Sequence, residues 1–163
     1  MKVVFNFFSG NPFDVAMLIK KLGSLGNFQM EMKAEQTVVG VLNDTKVSFL
    51  GYDYPLLEKP VVMRGIQVAS IPDIACMKID AIASRGAKRD FIDLFFIARA
   101  LSLRESMQLF KRKYAAIHYN LMHIKKSLVF FEDAEIDPMP DMLETVTWNE
   151  VKIFFRAEVQ KLI

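Results

Sequence analysis

The sequence predicts an α+β fold, with a small sheet near the N-terminus followed by a helical C-terminal half. Three observations carry this. Strand-like alternation is confined to roughly the first third of the chain. Three helix-start signatures, Ser70 with Asp73, Ser102 with Glu105 and Thr147 with Glu150, all fall after residue 69. Gly86 interrupts two apolar runs of helical period, which marks a helix hairpin. The expected organisation is a sheet region over 1–69 and a helical region over 70–163 packing on it as one compact domain.

Residues 2–8 are rich in Val and Phe, read as a strand and end at SGNP. Asn11 then has the character of an N-cap, with Pro12 at the first helical position and Asp14 in the first turn, and the helix should run to Leu22 and stop at Gly23. Phe28, Met30, Met32 and Ala34 alternate with polar residues, which is strand periodicity. TVVGVL and TKVSFL follow, joined by Asn43-Asp44, a hairpin turn signal. The first 55 residues therefore read as strand, helix and antiparallel meander. A linker around YPLLEKP leads to a short strand at 66–69.

From Ser70 the pattern becomes helical. One helix should run to Arg85, with Pro72 in its first turn, and a second should occupy 88–101. Helices should follow Ser102 and Thr147, with one more around 119–131. FFEDAEIDPMPDM reads as an acidic, proline-containing loop. The sequence contains no internal repeat and no low-complexity segment.

At 163 residues and 52% apolar content the chain can bury a real core, and it is not intrinsically disordered. That content is high enough to leave apolar surface for a partner or a further segment. The net charge of +2 gives no global argument for nucleic acid. The charge is segregated, however. Ser102 to Lys126 carries six basic residues (Arg104, Lys111, Arg112, Lys113, Lys125, Lys126) against Glu105 alone, and Glu132 to Glu150 carries seven acids and no base. Two solvated faces that partly neutralise each other account for this, and an RNA- or phosphate-binding surface on the basic stretch is the functional alternative. The single cysteine, Cys76, cannot form an internal disulfide, which fits a reducing cytoplasm, and its apolar helical surroundings make it a small core residue. The N-terminus lacks a signal-peptide pattern, and no apolar run reaches the roughly 20 residues of a membrane span. A cytoplasmic protein with no membrane partner is expected.

The stretch RGAKRDFIDLF poses the functional question. Ala75, Lys78, Ile82 and Arg85 share one face of the first helix of the hairpin. On the second, Phe91, Leu94, Phe95 and Ala98 form the apolar stripe, and Asp90 and Asp93 share a neighbouring face. Lys78 and Asp93 are symmetric about the Gly86 turn, so an antiparallel hairpin places them opposite each other, roughly 11 Å from the turn at 1.5 Å per residue. Two readings stand side by side. Asp90 complements the helix dipole and Lys78–Asp93 is a partly buried ion pair, or a desolvated lysine held by a carboxylate serves as a phosphate ligand. Other templates are poorly supported. There is no G-x-x-x-x-G-K-[ST] or G-x-G-x-x-G, His118 and His123 point in different directions with no further ligand beside them, and Trp148 reads as core.

IPDIACMKIDAIASRGAKRDFIDLFFI resembles the lysine and R-D-x-x-D signature of the AbiEii-type nucleotidyltransferase toxin family, from abortive-infection toxin–antitoxin systems. LVFFEDAEIDPMPDML, TWNEVKIFF and YDYPLL are similar to further parts of the same pattern, so the resemblance runs from about Phe5 onward. It implies a nucleotidyltransferase fold, here with a shortened sheet, and transfer or binding of a nucleotide. It also implies that Lys78 is the nucleotide-phosphate lysine and Asp93 its catalytic partner, with Arg85, Arg89 and Asp90 completing a nucleotide-binding set. It implies an antitoxin-like protein partner as well. The N-terminus departs from the pattern: a D-x-D strand is expected where the chain reads VFNFFSG, so Val4 and Asn6 stand in the two metal-ligand positions, and the segment carrying a G-[ST] turn has no counterpart before Met1. Asp44 and Asp53 lie nearby but have no supporting spacing. The expectation is a degenerate, catalytically inactive family member with no metal site and no cofactor as the chain stands. The alternative is an active toxin that uses magnesium and an NTP to modify RNA or protein.

Overall fold

The computed structural model describes residues 4–162. The chain divides between Tyr54 and Pro55 into two compact units. The predicted α+β class holds, with the sheet N-terminal and the helices following it.

The first unit contains β1 (Val4–Ser9), α1 (Val15–Leu25), β2 (Phe28–Ala34), β3 (Thr37–Leu42) and β4 (Thr45–Gly51). Its four strands lie in the order β1-β4-β3-β2. The meander β2-β3-β4 is antiparallel, whereas β1 pairs parallel with β4, an arrangement that the intervening α1 makes possible. At the β3–β4 turn Asn43 and Asp44 both take positive φ, 46° and 65°, as a tight two-residue hairpin requires.

The limits of α1 differ from the expected ones at both ends. Asp14, not Asn11, caps the helix, its carboxylate accepting from Met17 N at 2.9 Å. The helix continues through Gly23, whose missing side chain faces open space, so only the intrinsic cost of about 1 kcal/mol is felt there. It ends at Gly26, where a Cβ would lie 2.4 Å from the Asn43 side chain. That close approach lets Asn43 Oδ1 accept from Asn27 N at 2.9 Å and ties the helix end to the β3–β4 turn.

The second unit opens with a hairpin, β5 (Val61–Met63) and β6 (Ile66–Val68), turning at Arg64 and Gly65. Only the second of these strands was expected. Then come α2 (Ile71–Arg85), α3 (Lys88–Ile97), α4 (Leu103–Lys113), α5 (Leu121–Ser127), α6 (Glu132–Glu135) and α7 (Trp148–Gln160). The boxes at Ser102/Glu105 and Thr147/Glu150 are both complete. α3 is shorter than predicted, because residues 98–101 tighten into i→i−3 turns such as Ala100 N to Ile97 O at 2.9 Å. The helix expected at 119–131 is confined to α5 by its Asn120 cap, and the acidic loop contains the single turn α6.

The core of this unit is aromatic. Phe91 is completely buried, and its ring centroid lies 5.3 Å from Phe131, 5.7 Å from Trp148 and 5.3 Å from Phe155. These are edge or tilted contacts, the favourable geometries for aromatic pairs. Cys76 is buried here as a free thiol, as the sequence implied.

One ion pair in this core was not foreseen. Lys113 and Asp73, both fully buried at the side chain, meet at 2.6 Å. Lys113 also donates to Pro55 O at 2.7 Å. Asp73 accepts from Leu57 N at 2.9 Å and from Ser70 Oγ at 2.8 Å. The pair therefore pins the start of this unit's chain between α2 and α4. Burial alone would raise the Asp73 pKa, but these donors hold it below its ordinary value.

Candidate functional site

The α2–α3 hairpin is built by local signals. Ser70 caps α2 by accepting from Asp73 N, with proline in the first turn. Gly86 ends it in the left-handed region, φ 59° and ψ 24°, donating its N–H to Ile82 O at 3.0 Å. The start of α3 has no local side-chain cap, since Ala87 supplies none. The cap comes instead from the acidic loop: Asp137 Oδ2 accepts from Lys88 N at 2.9 Å, and the Lys88 ammonium returns to Asp137 O. Lys88 is itself buried and lies 5.4 Å from the centre of the Trp148 ring. The loop thus braces the turn between the two helices.

Four residues of this hairpin form one charged cluster. Lys78 Nζ donates to Asp90 Oδ1 at 2.9 Å and is also paired with the Asp93 carboxylate. Arg85 grips Asp90 with two bonds, Nε to Oδ2 at 2.8 Å and Nη2 to Oδ1 at 3.1 Å. The predicted Lys78–Asp93 pairing across the hairpin is present.

The ranking of the two aspartates differs from the one read in the sequence. Asp90 is the central carboxylate, with a completely buried side chain, whereas Asp93 is 49% exposed. Burial pushes the Asp90 carboxyl upward, and the Arg85 hydrogen bonds with the Lys78 charge outweigh it, leaving the pKa below the ordinary value. The same bonds raise the Arg85 pKa. Lys78, 23% exposed, therefore has one fixed partner beneath it and one solvated partner at the rim. An oxyanion arriving from solvent can compete with Asp93 for the ammonium, but not with Asp90. Arg89 is exposed and takes no part in the cluster.

On the sheet, Val4 and Asn6 are exposed along β1. Their partners on the parallel strand β4 are Lys46 and Ser48. Asp44 and Asp53 lie beyond opposite ends of β4, a strand of seven residues, roughly 20 Å long at ~3.3 Å per residue. Among the described residues, no group of three or more His, Cys, Asp or Glu is gathered that could hold a metal ion.

The basic stretch proposed for RNA needs one correction. Lys113 is sealed in the core against Asp73 and offers nothing to a ligand, because Leu103, Ser106, Met107 and Phe110 place it on the buried stripe of α4. Arg104 donates to Lys161 O, and Lys125 to Leu162 O at 2.6 Å. Lys111, Arg112 and Lys126 are exposed. His123 places Nε2 3.2 Å from Ala83 O, an ordinary helix contact.

Two of these features left a trace in the sequence. A capping box needs Glu or Gln at its fourth position to reach back, and Asp73 is too short to do so, which signals a partner elsewhere. Lys113 recurs at helical spacing with apolar residues. Asp137, capping a helix 49 residues away, left none.

Among the described residues no helix is long and apolar enough to cross a membrane. An uncharacterised protein of Aquifex aeolicus (strain VF5) is 38% identical over 165 residues, a match covering 98% of this chain and 78% of that protein. The crystal structure of JHP933 from Helicobacter pylori superposes with a TM-score of 0.52 at 14% identity, over 99% of this chain and 75% of that one, a likeness of fold. The family described as nucleotidyl transferase AbiEii toxin, type IV TA system, matches residues 51–160, which contain the whole charged hairpin. The chain belongs to the AbiEii nucleotidyl transferase toxin family.

Proposed function

We propose that this chain is a degenerate nucleotidyltransferase-fold member of its family, which keeps an anion site at Lys78 but does not transfer a nucleotide as it stands. The observation that carries this reading is the register of β1 on β4. The two positions at which the family's metal-binding aspartates are expected hold an alkyl group, Val4, and an amide, Asn6, and the adjacent β4 positions hold an ammonium, Lys46, and a hydroxyl, Ser48. Magnesium binds charged oxygen ligands and dehydrates reluctantly, so the Asn6 amide and Ser48 hydroxyl do not suit it, with the Glu31 carboxylate already paired to Lys46 at 2.9 Å.

The hairpin supplies a different chemistry. Lys78 is held in place by a buried carboxylate and presents its remaining capacity at the rim, where Asp93 is exchangeable and the Arg85 guanidinium is half exposed. This suits weak, metal-independent binding of a phosphate group, with the exposed Arg89 adding positive charge to the same segment. The family's toxin–antitoxin character supports an antitoxin-like protein as its counterpart. Any contact with RNA through the basic stretch would rest on Lys111, Arg112 and Lys126.

The competing reading is an active toxin, and it is favoured by the intact Lys78 and Arg89-Asp90-x-x-Asp93 pattern. The two separate in a label-transfer assay with each α-labelled NTP, magnesium and total cellular RNA or protein. The degenerate reading expects no label on any acceptor. Magnesium-dependent transfer that disappears in Lys78→Ala would overturn it.

A further inference from the structure

The acidic loop reaches the charged hairpin through Asp137, which holds Lys88 at both ends. Its Oδ2 accepts from Lys88 N at 2.9 Å, and its backbone carbonyl accepts from the Lys88 ammonium. Lys88 opens α3, and Ala87 before it offers no side-chain cap, so the first N–H of the helix depends on Asp137. Asp90 stands in that same first turn. On the other side of the turn Arg85 closes α2, just before Gly86. The loop also packs on the turn itself, where a Cβ on Gly86 would lie 3.2 Å from the Cβ of Asp133. The two bonds from Arg85 to Asp90, at 2.8 and 3.1 Å, therefore span a turn that the loop clamps from outside.

We propose that Asp137 is a positioning residue of the Lys78 anion site, an inference that rests on the reading of that site as one for phosphate. Asp137 acts through Lys88 and Asp90. The capped first turn holds Asp90 beneath the Lys78 ammonium at 2.9 Å and within the grip of Arg85. The buried Lys88 ammonium, 5.4 Å from the centre of the Trp148 ring, fastens the clamp at a second point. Without the cap the orphaned Lys88 N–H draws the first turn toward water, and the two cations lose their common anchor. Lys78 is then left to Asp93, the rim carboxylate that a phosphate must displace.

The sign of the effect separates positioning from charge. Asp137 is an acid, so on Coulomb grounds alone its neutralisation tightens the binding of a nearby anion and its retention changes nothing. Positioning predicts the reverse order. Asp137→Asn keeps an acceptor in the same place without the charge, whereas Asp137→Glu keeps the charge and carries the acceptor one methylene further.

The test uses the full chain, labelled with nitrogen-15 and titrated with inorganic phosphate at constant ionic strength. NMR follows the amides of α2 and α3 and the Arg85 Nε–H, which reports the bond to Asp90 directly. Asp137→Asn should bind phosphate at least as well as the unsubstituted chain and keep the Arg85 resonance in place. Asp137→Glu should bind about fivefold more weakly, the ratio that one helix cap is worth, with that resonance shifted or broadened. Asp137→Ala should match Asp137→Glu if it folds, and the other two variants decide the matter if it does not. Weaker binding by Asp137→Asn than by Asp137→Glu assigns the role to charge and overturns the proposal. So does a loss of urea stability in Asp137→Glu with the Arg85 resonance and the phosphate affinity unchanged, since Asp137 is then a structural brace only. A chain that shows no phosphate response before any substitution overturns the anion reading itself, and this proposal with it.

Discussion

Replacing Asp90 by alanine should destabilise the helical unit by about 3 kcal/mol, whereas Asp93→Ala should cost less than about 1 kcal/mol. The difference follows from the cluster's geometry. Asp90 is completely buried and receives three bonds from two cations, so its loss strands charge in a partly desolvated place. Removing one partner of a buried pair costs about 3–5 kcal/mol. The lower end applies because Lys78 keeps Asp93 and Arg85 is half solvated. In the reverse experiment Lys78 keeps Asp90 at 2.9 Å, and the removed carboxylate was half in water. Urea denaturation at neutral pH, followed by fluorescence of the single tryptophan, reads this directly. Trp148 packs on Phe91 in the same unit, so its signal reports the unit that contains the cluster. With a urea slope of about 2 kcal/mol per molar, Asp90→Ala should lower the midpoint by roughly 1.5 M and Asp93→Ala by less than ~0.5 M. Equal losses, or a larger loss for Asp93→Ala, would refute the assignment of Asp90 as the anchoring carboxylate.

Stability should be flat above about pH 4 and fall below it, because Asp73 and Asp90 both have folded pKa values below the ordinary ~3.9 and the unfolded chain takes up more protons in that window. Urea midpoints unchanged from pH 7 to 3 would contradict this. Asp73→Ala should cost about 3–5 kcal/mol, since it leaves Lys113 buried and unpaired, while the double replacement Asp73→Ala with Lys113→Met should recover much of the loss in the same assay. Cys76, whose thiol burial pushes up to about 11, should react with a thiol reagent at neutral pH only as fast as the unit opens; rapid labelling of the native protein would show otherwise.

What the sequence reveals of the fold and site is what local chemistry determines. Ser70, Gly86, Ser102 and Thr147 act within a turn of themselves, so the starts of α2, α4 and α7 and the centre of the hairpin were legible. The symmetry of Lys78 and Asp93 about Gly86 followed from helix rise alone. Depth did not follow from it: both aspartates sit on the same side of α3, yet the Asp90 side chain is buried and that of Asp93 is half exposed. The Lys113–Asp73 pair joins residues 40 apart, and the Asp137 cap spans 49, distances at which periodicity carries no information. β5 was invisible because a strand of three residues is too short to show alternation. The end of α1 was misplaced because Gly23 read as a stop, whereas the stop is the approach of Asn43 to Gly26.

We propose that the Lys78 cluster binds phosphate and that Val4 and Asn6 no longer support a metal. Titration calorimetry with each of the four NTPs, with and without magnesium, tests it most directly. The expected result is binding no tighter than about millimolar, of equal strength with and without magnesium, and lost in Lys78→Ala. Magnesium-dependent micromolar binding of any NTP would contradict this reading and restore an active metal site.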